Sequence, residues 1–304
     1  MIDGRFPIRL LALDIDGTLV GEDLILRDRT RAAVAAALHR GVAVVLVTGR
    51  MASSARTFAE TLGLHGPLVA YQGGLIRELP APGSRSVGRL LFHRPLPAEV
   101  AREVVAWTRA RGLDPHANHL ERFIIRADDP RAEDYSAFLG ARAELVPDLH
   151  SAIRHPISKI LAVADEPGPT LALRPARARF AGRAEVTISH PRFLEFVAPG
   201  VSKGRAVRWL SRRSGVPLGH SLAIGDQWND LSMIEAVGHG AAMPTAPLEV
   251  RSAARYLARP VADDGAARLI EDLVLAGDRI AAANARRLAE EAAAWRTAVG
   301  IASA

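Results

Sequence analysis

The chain has 304 residues, enough for two domains, and at 49% hydrophobic and 24% charged it has the make-up of ordinary globular protein. No apolar run reaches the length of a membrane span, Met1-Ile2-Asp3-Gly4-Arg5 does not read as a signal peptide, and the lack of cysteine excludes a disulfide framework, a thiolate metal site and a cysteine nucleophile. A cytoplasmic protein with no membrane partner is therefore expected, and also no nucleic-acid partner: the net charge is +6, but the arginines are scattered, aromatics are 5% and no nucleic-acid-binding motif occurs.

Ile8-Arg9-Leu10-Leu11-Ala12-Leu13 has the apolar content of a buried strand and runs into Asp14-Ile15-Asp16-Gly17-Thr18. A crossover helix follows near residues 30–40. The β-branched run Val42-Ala43-Val44-Val45-Leu46-Val47 ends in Thr48-Gly49-Arg50. A second helix and strand occupy residues 52–71, the strand Pro67-Leu68-Val69-Ala70-Tyr71 leading into Gln72-Gly73-Gly74.

The stretch from Thr48 to Lys203 is too long for a loop and must hold an inserted unit. Pro80-Ala81-Pro82-Gly83-Ser84 marks its entry and Pro199-Gly200 its exit. The insert reads as α+β, with strands at 89–93, 123–125, 157–163, 186–188 and 193–197. Its helices are expected at 97–111, with Val100, Val104, Val105 and Thr108 on one face, at 130–139, and at 169–180, the last less clearly marked because of Pro175. Beyond it, Lys203 begins a helix, and Ser221-Leu222-Ala223-Ile224-Gly225 is a strand ending in Asp226-Gln227-Trp228-Asn229-Asp230. An Ala/Arg/Glu-rich segment at 266–299, interrupted at Gly277, predicts one helix on the core and one added helix. A surface-packed helix is favoured there over a dimer contact, so a monomer or weak homodimer is expected.

Ligands of open α/β sheets bind at the carboxyl ends of strands. Two carboxylates delivered there repel each other unless a cation or a shared proton compensates, and a hard divalent ion such as Mg²⁺ is the simplest compensation. Taken singly, each feature has a bland reading: an acidic turn at Asp14 and Asp226, a helix cap at Thr48, a solvated charge at Lys203. The bland readings do not explain the ordered set of acid pair, hydroxyl, lysine and acid cluster. Side-chain usage adds a clue. Of 39 basic residues, Lys159 and Lys203 alone are lysine, which suggests places where a compact charge on a flexible stem matters. Glutamine is confined to Gln72 and Gln227.

That ordered set resembles the haloacid dehalogenase-like hydrolase superfamily, in its Cof-type sugar-phosphatase branch. Asp14-x-Asp16-Gly17-Thr18 resembles motif I, Thr48 motif II, Lys203 motif III, and Gly225-Asp226-Gln227-Trp228-Asn229-Asp230 motif IV. The resemblance implies a Rossmann-like, doubly wound, mostly parallel α/β core with an inserted α+β C2 cap. The core takes residues 1–82 and 200–276, the cap 83–199, and an extra C-terminal helix 277–304. It implies Asp14 as nucleophile, Asp16 as acid/base, and Mg²⁺ held by Asp14, Asp16 and Asp226. Thr48 and Lys203 would hold the transferring phosphoryl group. Gly49, Arg50, Gln72, Gly73 and Asn229 are candidates for phosphate or substrate binding, and Asp230 for support of the metal or of Lys203.

Two loops depart from the branch pattern: Gln72-Gly73-Gly74 stands where Asn-Gly-Ala is usual, and Met243-Pro244-Thr245-Ala246 where Met-Gly-Asn-Ala is usual. The expected activity is Mg²⁺-dependent hydrolysis of small phosphomonoesters, sugar phosphates first, flavin mononucleotide or pyridoxal phosphate next. The alternatives are a phosphomutase or phosphotransferase on the same fold, or a non-catalytic sensor of phosphate ligands. His116, Asn118, Glu121 and Arg122, near a predicted turn of the insert, are candidates for reading the leaving group.

Overall fold

The computed structural model describes residues 6–81, 83–129, 131–139 and 142–301. Residues 1–5, Pro82 at the predicted entry to the insert, Pro130 at the predicted start of a helix, and residues 302–304 lie outside the described residues. The chain forms two compact units, one of residues 1–48, 58–65 and 203–304, the other of 49–57 and 66–202.

In the first unit, five parallel strands form one sheet in the order Tyr256–Leu257, His239–Ala242, Ser221–Gly225, Leu10–Leu13, Ala43–Leu46. Leu10–Leu13 and Ser221–Gly225 are buried throughout, which is why they read as continuous apolar runs instead of alternating ones. The crossover helix spans Asp28–His39 and packs on Gly265–Ile270. The C-terminal segment divides as the sequence predicts. Gly277, with φ at +78°, precedes a 21-residue helix, Asp278–Ala298. Ala281, Ala285, Leu288 and Ala292 form its buried stripe, at the spacing of an amphipathic helix.

Among the described residues the second unit holds two sheets. Pro67–Ala70, Leu75–Glu78 and Arg89–His93 form a three-stranded antiparallel sheet. These pairings group the described part of 66–82 with the second unit, whereas the linear boundary drawn from sequence runs at residue 83. The six-stranded sheet runs Glu185–His190, Phe193–Val197, Lys159–Val163, Asp114–His119, Arg122–Arg126, Ala143–Val146. Helix Ala98–Arg109 buries Val100, Val104, Val105 and Thr108, the face expected from its spacing, and packs on that sheet. Helix Gly168–Arg179 is continuous through Pro175, which points to solvent, so the ring costs one backbone bond and no packing. The strands Leu75–Glu78, Asp114–His119 and Ala143–Val146 are not expected from the sequence; Asp114–His119 is rich in polar residues, and Ala143–Val146 is only four residues long and lies at a sheet edge.

Candidate active site

The central strand Leu10–Leu13 pairs with Ser221–Gly225 on one side and Ala43–Leu46 on the other, Leu13 lying opposite both Ile224 and Leu46. The chain therefore leaves the sheet in opposite directions on the two sides of this strand, the switch point at which such sheets bind ligands. Asp14 and Asp226 follow directly on two of these strands, Thr48 stands two residues beyond the end of the third, and all three are buried. The Asp14 N–H donates to Ile224 O at 3.1 Å, and the Val47 N–H to Leu13 O at 2.9 Å. After Asp14 the chain turns tightly, with the N–H groups of Leu19 and Val20 both donating to Ile15 O. Gly17 in this turn has φ at +73°, and a Cβ there would stand 2.2 Å from Asp226 Oδ2. Only glycine meets both conditions at that position.

Lys203 is the first residue of helix Lys203–Ser214 and is fully buried. Its ammonium donates to Asp14 Oδ1 at 2.6 Å and to Asp230 Oδ1 at 2.5 Å. The other oxygen of Asp230 accepts from the backbone N–H groups of Asp226 and Gln227, each at 3.0 Å. The Asp230 N–H in turn donates to the Gln227 carbonyl at 2.9 Å, closing the short turn Trp228–Asp230. Asp230 thus fixes both Lys203 and the loop that presents Asp226. Asp16 and Asn229 are half-buried in the same unit.

Oxygens of Asp14, Asp226 and Asp230 lie within 4.8 Å of one another. With all three carboxylates ionised, the single ammonium of Lys203 would leave two negative charges uncompensated in a buried place. Burial, then the neighbouring Asp230 and Asp16, push Asp14 up to about 7 despite the pull of Lys203. Burial and then Asp14 and Asp230 push Asp226 well above the usual carboxylate range. Burial acts to lower Lys203, but Asp14 and Asp230 outweigh it and hold its charge firmly. Asp226 Oδ1 is buried and has no hydrogen-bond partner. An all-oxygen donor set, an orphaned carboxylate oxygen and three carboxylates against one ammonium fit a hard divalent cation. Asp230 already uses both oxygens, so Asp14 and Asp226 carry the coordinating capacity.

Gly49, Arg50, Gln72 and Gly73 belong to the second unit. There the Tyr71 N–H donates to Arg50 O at 3.1 Å, and Arg50 donates to Ser54 Oγ at 3.1 Å. Tyr71, Gln72 and Gly73 all have positive φ, at 50°, 60° and 96°, a strained run of the kind that clusters at functional sites. Gln72 Nε2 donates to Glu195 Oε2 at 2.8 Å. Lys159 begins its strand instead of lying in the middle of it, and is buried against Glu195.

Glu195 is the group that sequence reading passes over. Its signal was present: a lone acid inside Phe193-Leu194-Glu195-Phe196-Val197 requires a buried partner, and Lys159 precedes the equally apolar Ile160-Leu161-Ala162-Val163. Among the leaving-group candidates, His116 and Asn118 are buried on a strand, His116 beside Asp129 at 3.2 Å. Glu121 pairs with Arg77 at 2.7 Å, and Arg122 with Glu144 at the surface.

A sequence model of the haloacid dehalogenase-like hydrolases matches residues 11–270. The chain is 32% identical over 241 residues to an HMP-PP phosphatase of Cronobacter sakazakii, covering 78% of this chain and 85% of that protein. It is 24% identical over 289 residues to the 5-amino-6-(5-phospho-D-ribitylamino)uracil phosphatase YwtE of Bacillus subtilis, covering 88% of this chain and 98% of that one. A solved haloacid dehalogenase-like hydrolase from Bacteroides thetaiotaomicron superposes with a TM-score of 0.74 at 27% identity, over 87% of this chain and 99% of that one. An α/β core with acids at its switch point and a match across both units define the class, a hydrolase with an inserted cap. The chain belongs to the haloacid dehalogenase-like hydrolase family, in its Cof-type branch. It is an enzyme of the phosphatase kind. No helix among the described residues is long and apolar enough to cross a membrane.

Proposed function

We propose that this enzyme is a Mg²⁺-dependent phosphomonoesterase of small phosphorylated metabolites that works through an aspartyl-phosphate. The observation that carries the reading is the bridge from Lys203 to Asp14 and Asp230 beside Asp226, a buried cluster of three carboxylates around one ammonium. Phosphate monoesters resist hydrolysis because their anionic oxygens repel nucleophiles, so catalysis is mainly positioning and charge neutralisation.

Asp14 attacks phosphorus, forming an O–P bond as the ester P–O bond breaks, and Asp16 gives its proton to the leaving alkoxide. Water then cleaves the aspartyl-phosphate, its proton returning to Asp16, and inorganic phosphate leaves with Asp14 restored. Lys203 and Thr48 hold the phosphoryl oxygens, and Lys203 offsets charge at Asp14. Asp14 and Asp226, with the Asp16 carbonyl, would hold Mg²⁺, which supplies charge neutralisation at the phosphoryl oxygens when bound. Gly49, Arg50, Gln72, Gly73 and Asn229 complete phosphate and substrate binding, and the cap reads the leaving group.

Sugar phosphates are the leading substrate class. A relative named for a phosphorylated ribityl group supports a polyhydroxylated leaving group. The test is phosphate release from a panel of phosphorylated metabolites with Mg²⁺, by the native enzyme and by Asp14→Asn. Turnover by the first and none by the second is expected, since an amide is nearly isosteric but a poor nucleophile. Near-native turnover by Asp14→Asn would rule out the covalent route.

A further inference from the structure

The charge pair in the second unit lies outside the chemistry just described, yet it is built as carefully as the pair at Lys203. Lys159 is 4% exposed and Glu195 2%. Lys159 Nζ donates to the Gly49 carbonyl at 2.8 Å and stands 3.1 Å from Glu195 Oε1. Glu195 is fully engaged, for it also accepts from Ser189 Oγ at 2.5 Å and, through its other oxygen, from Gln72 Nε2 at 2.8 Å. A Cβ on Gly49 would fall 2.3 Å from Gln72 Nε2 and 3.3 Å from Glu195 Oε1, so the three groups close on each other with no spare room. Burying an ion pair costs desolvation that hydrophobic residues of the same volume would avoid, so this pair is poorly explained as a device for stability. What it does achieve is geometric: one ammonium and one carboxylate tie two loops, 49–50 and 71–73, to the strands Lys159–Val163 and Phe193–Val197.

We propose that Lys159 and Glu195 form a positioning element that sets the Gly49 carbonyl and the Gln72 amide, and with them the loops that carry Arg50 and Gly73. Neither residue touches the phosphate ester; each acts through a loop that does. This rests on the reading of Gly49, Arg50 and Gln72 as parts of the phosphate-ester site. It explains why lysine stands at this position in a chain whose other lysine is Lys203 and whose remaining basic residues are arginine. A compact ammonium can donate to a carbonyl and a carboxylate from one point, whereas a planar guanidinium spreads its donors over a wider fork.

The experiment compares the native enzyme, Lys159→Met, and the double variant Lys159→Met/Glu195→Gln, using para-nitrophenyl phosphate and several sugar phosphates with Mg²⁺. Thermal unfolding is measured for each. Lys159→Met leaves Glu195 buried and unpaired and should lower both the unfolding temperature and kcat. The double variant removes both charges at nearly constant volume and should regain the unfolding temperature. Its kcat should stay down by ~10- to 100-fold, the scale set by small misplacements of binding groups. The loss should be by a similar factor for every ester, because a positioning defect does not distinguish leaving groups. Recovery of kcat along with stability would make the pair merely structural and overturn the proposal. Losses confined to KM for particular esters would make Lys159 a leaving-group contact and also overturn it, as would unchanged kinetics. Asp14→Asn, run beside these, tests the catalytic reading separately, since its result does not depend on Lys159.

Discussion

Asp230 holds Lys203 with one oxygen at 2.5 Å and the backbone of the Asp226 loop with the other, so one carboxylate couples the buried cation to the loop that presents a metal-ligand candidate. Its removal should therefore damage stability and turnover together. Asp230→Ala leaves Lys203 with Asp14 alone and orphans two buried amide donors. Breaking a buried pair from one side typically costs about 3–5 kcal/mol. Denaturant unfolding should show a loss of that order, and phosphate release should fall by ~100-fold or more, the scale of misplacing a preorganised charge. Native-like stability in Asp230→Ala would show that the short contact contributes little.

Lys203→Arg tests the same centre from the cation's side. Lys203 is enclosed completely and meets two carboxylate oxygens at 2.6 and 2.5 Å. A longer planar head has no room to reproduce both contacts. Turnover of an aryl phosphate should fall by ~100-fold or more, the effect of losing one well-placed donor. Native kinetics would remove Lys203 from the phosphoryl-binding role.

Removal of divalent metal should abolish activity, and Mg²⁺ should restore it while Ca²⁺ does not. The cluster of Asp14, Asp226 and Asp230 is compact, and Ca²⁺ demands more ligands at longer distances than Mg²⁺. The check is phosphate release after EDTA treatment and re-addition of each ion. Full activity in metal-free buffer would take Asp226 out of its assigned role.

The centre around Asp14 was legible because apolar parallel strands, each ending in a chemical group, leave a linear record. Strands Leu10–Leu13, Ala43–Leu46 and Ser221–Gly225 are continuous apolar runs, and their register brings their carboxyl ends, which lead into Asp14, Thr48 and Asp226, to one edge of the sheet. The amphipathic helix Ala98–Arg109 was equally plain from its spacing. What escaped is long-range pairing of polar side chains. Nothing near Gln72 in sequence points to Glu195, 123 residues away, or near Gly49 to Lys159, 110 residues away. Polar strands such as Asp114–His119 lack the apolar signal because the side chains they bury are themselves polar, and a partner such as Asp129 for His116 Nε2 is supplied only by the fold. Support of Lys203 or the metal by Asp230 was an expectation of the resemblance, whereas its hold on the Asp226 and Gln227 amides left no sign in the sequence.

Acid should weaken the second unit through His93 and His119. Their rings lie 5.8 Å apart, and His93 Nε2 is 2.9 Å from Ser158 Oγ. Burial, then His119 and Arg77, lower His93 below its ordinary 6.5. Burial, then Arg122 and His155, lower His119 from the same value, with Glu121 pulling weakly the other way. A histidine with a depressed folded-state value takes up its proton first in the unfolded chain, so the unfolded state binds more protons as the pH drops. The stability contributed by the neutral rings is therefore present above about pH 6.5 and is lost as pH falls through that value toward the lower folded-state ones. Unfolding temperatures measured between pH 8 and pH 5 should fall more steeply on the acid side for the native protein than for His93→Gln/His119→Gln. Glutamine keeps a polar side chain at both positions and cannot titrate. Parallel profiles for the two proteins would place the acid sensitivity elsewhere in the molecule.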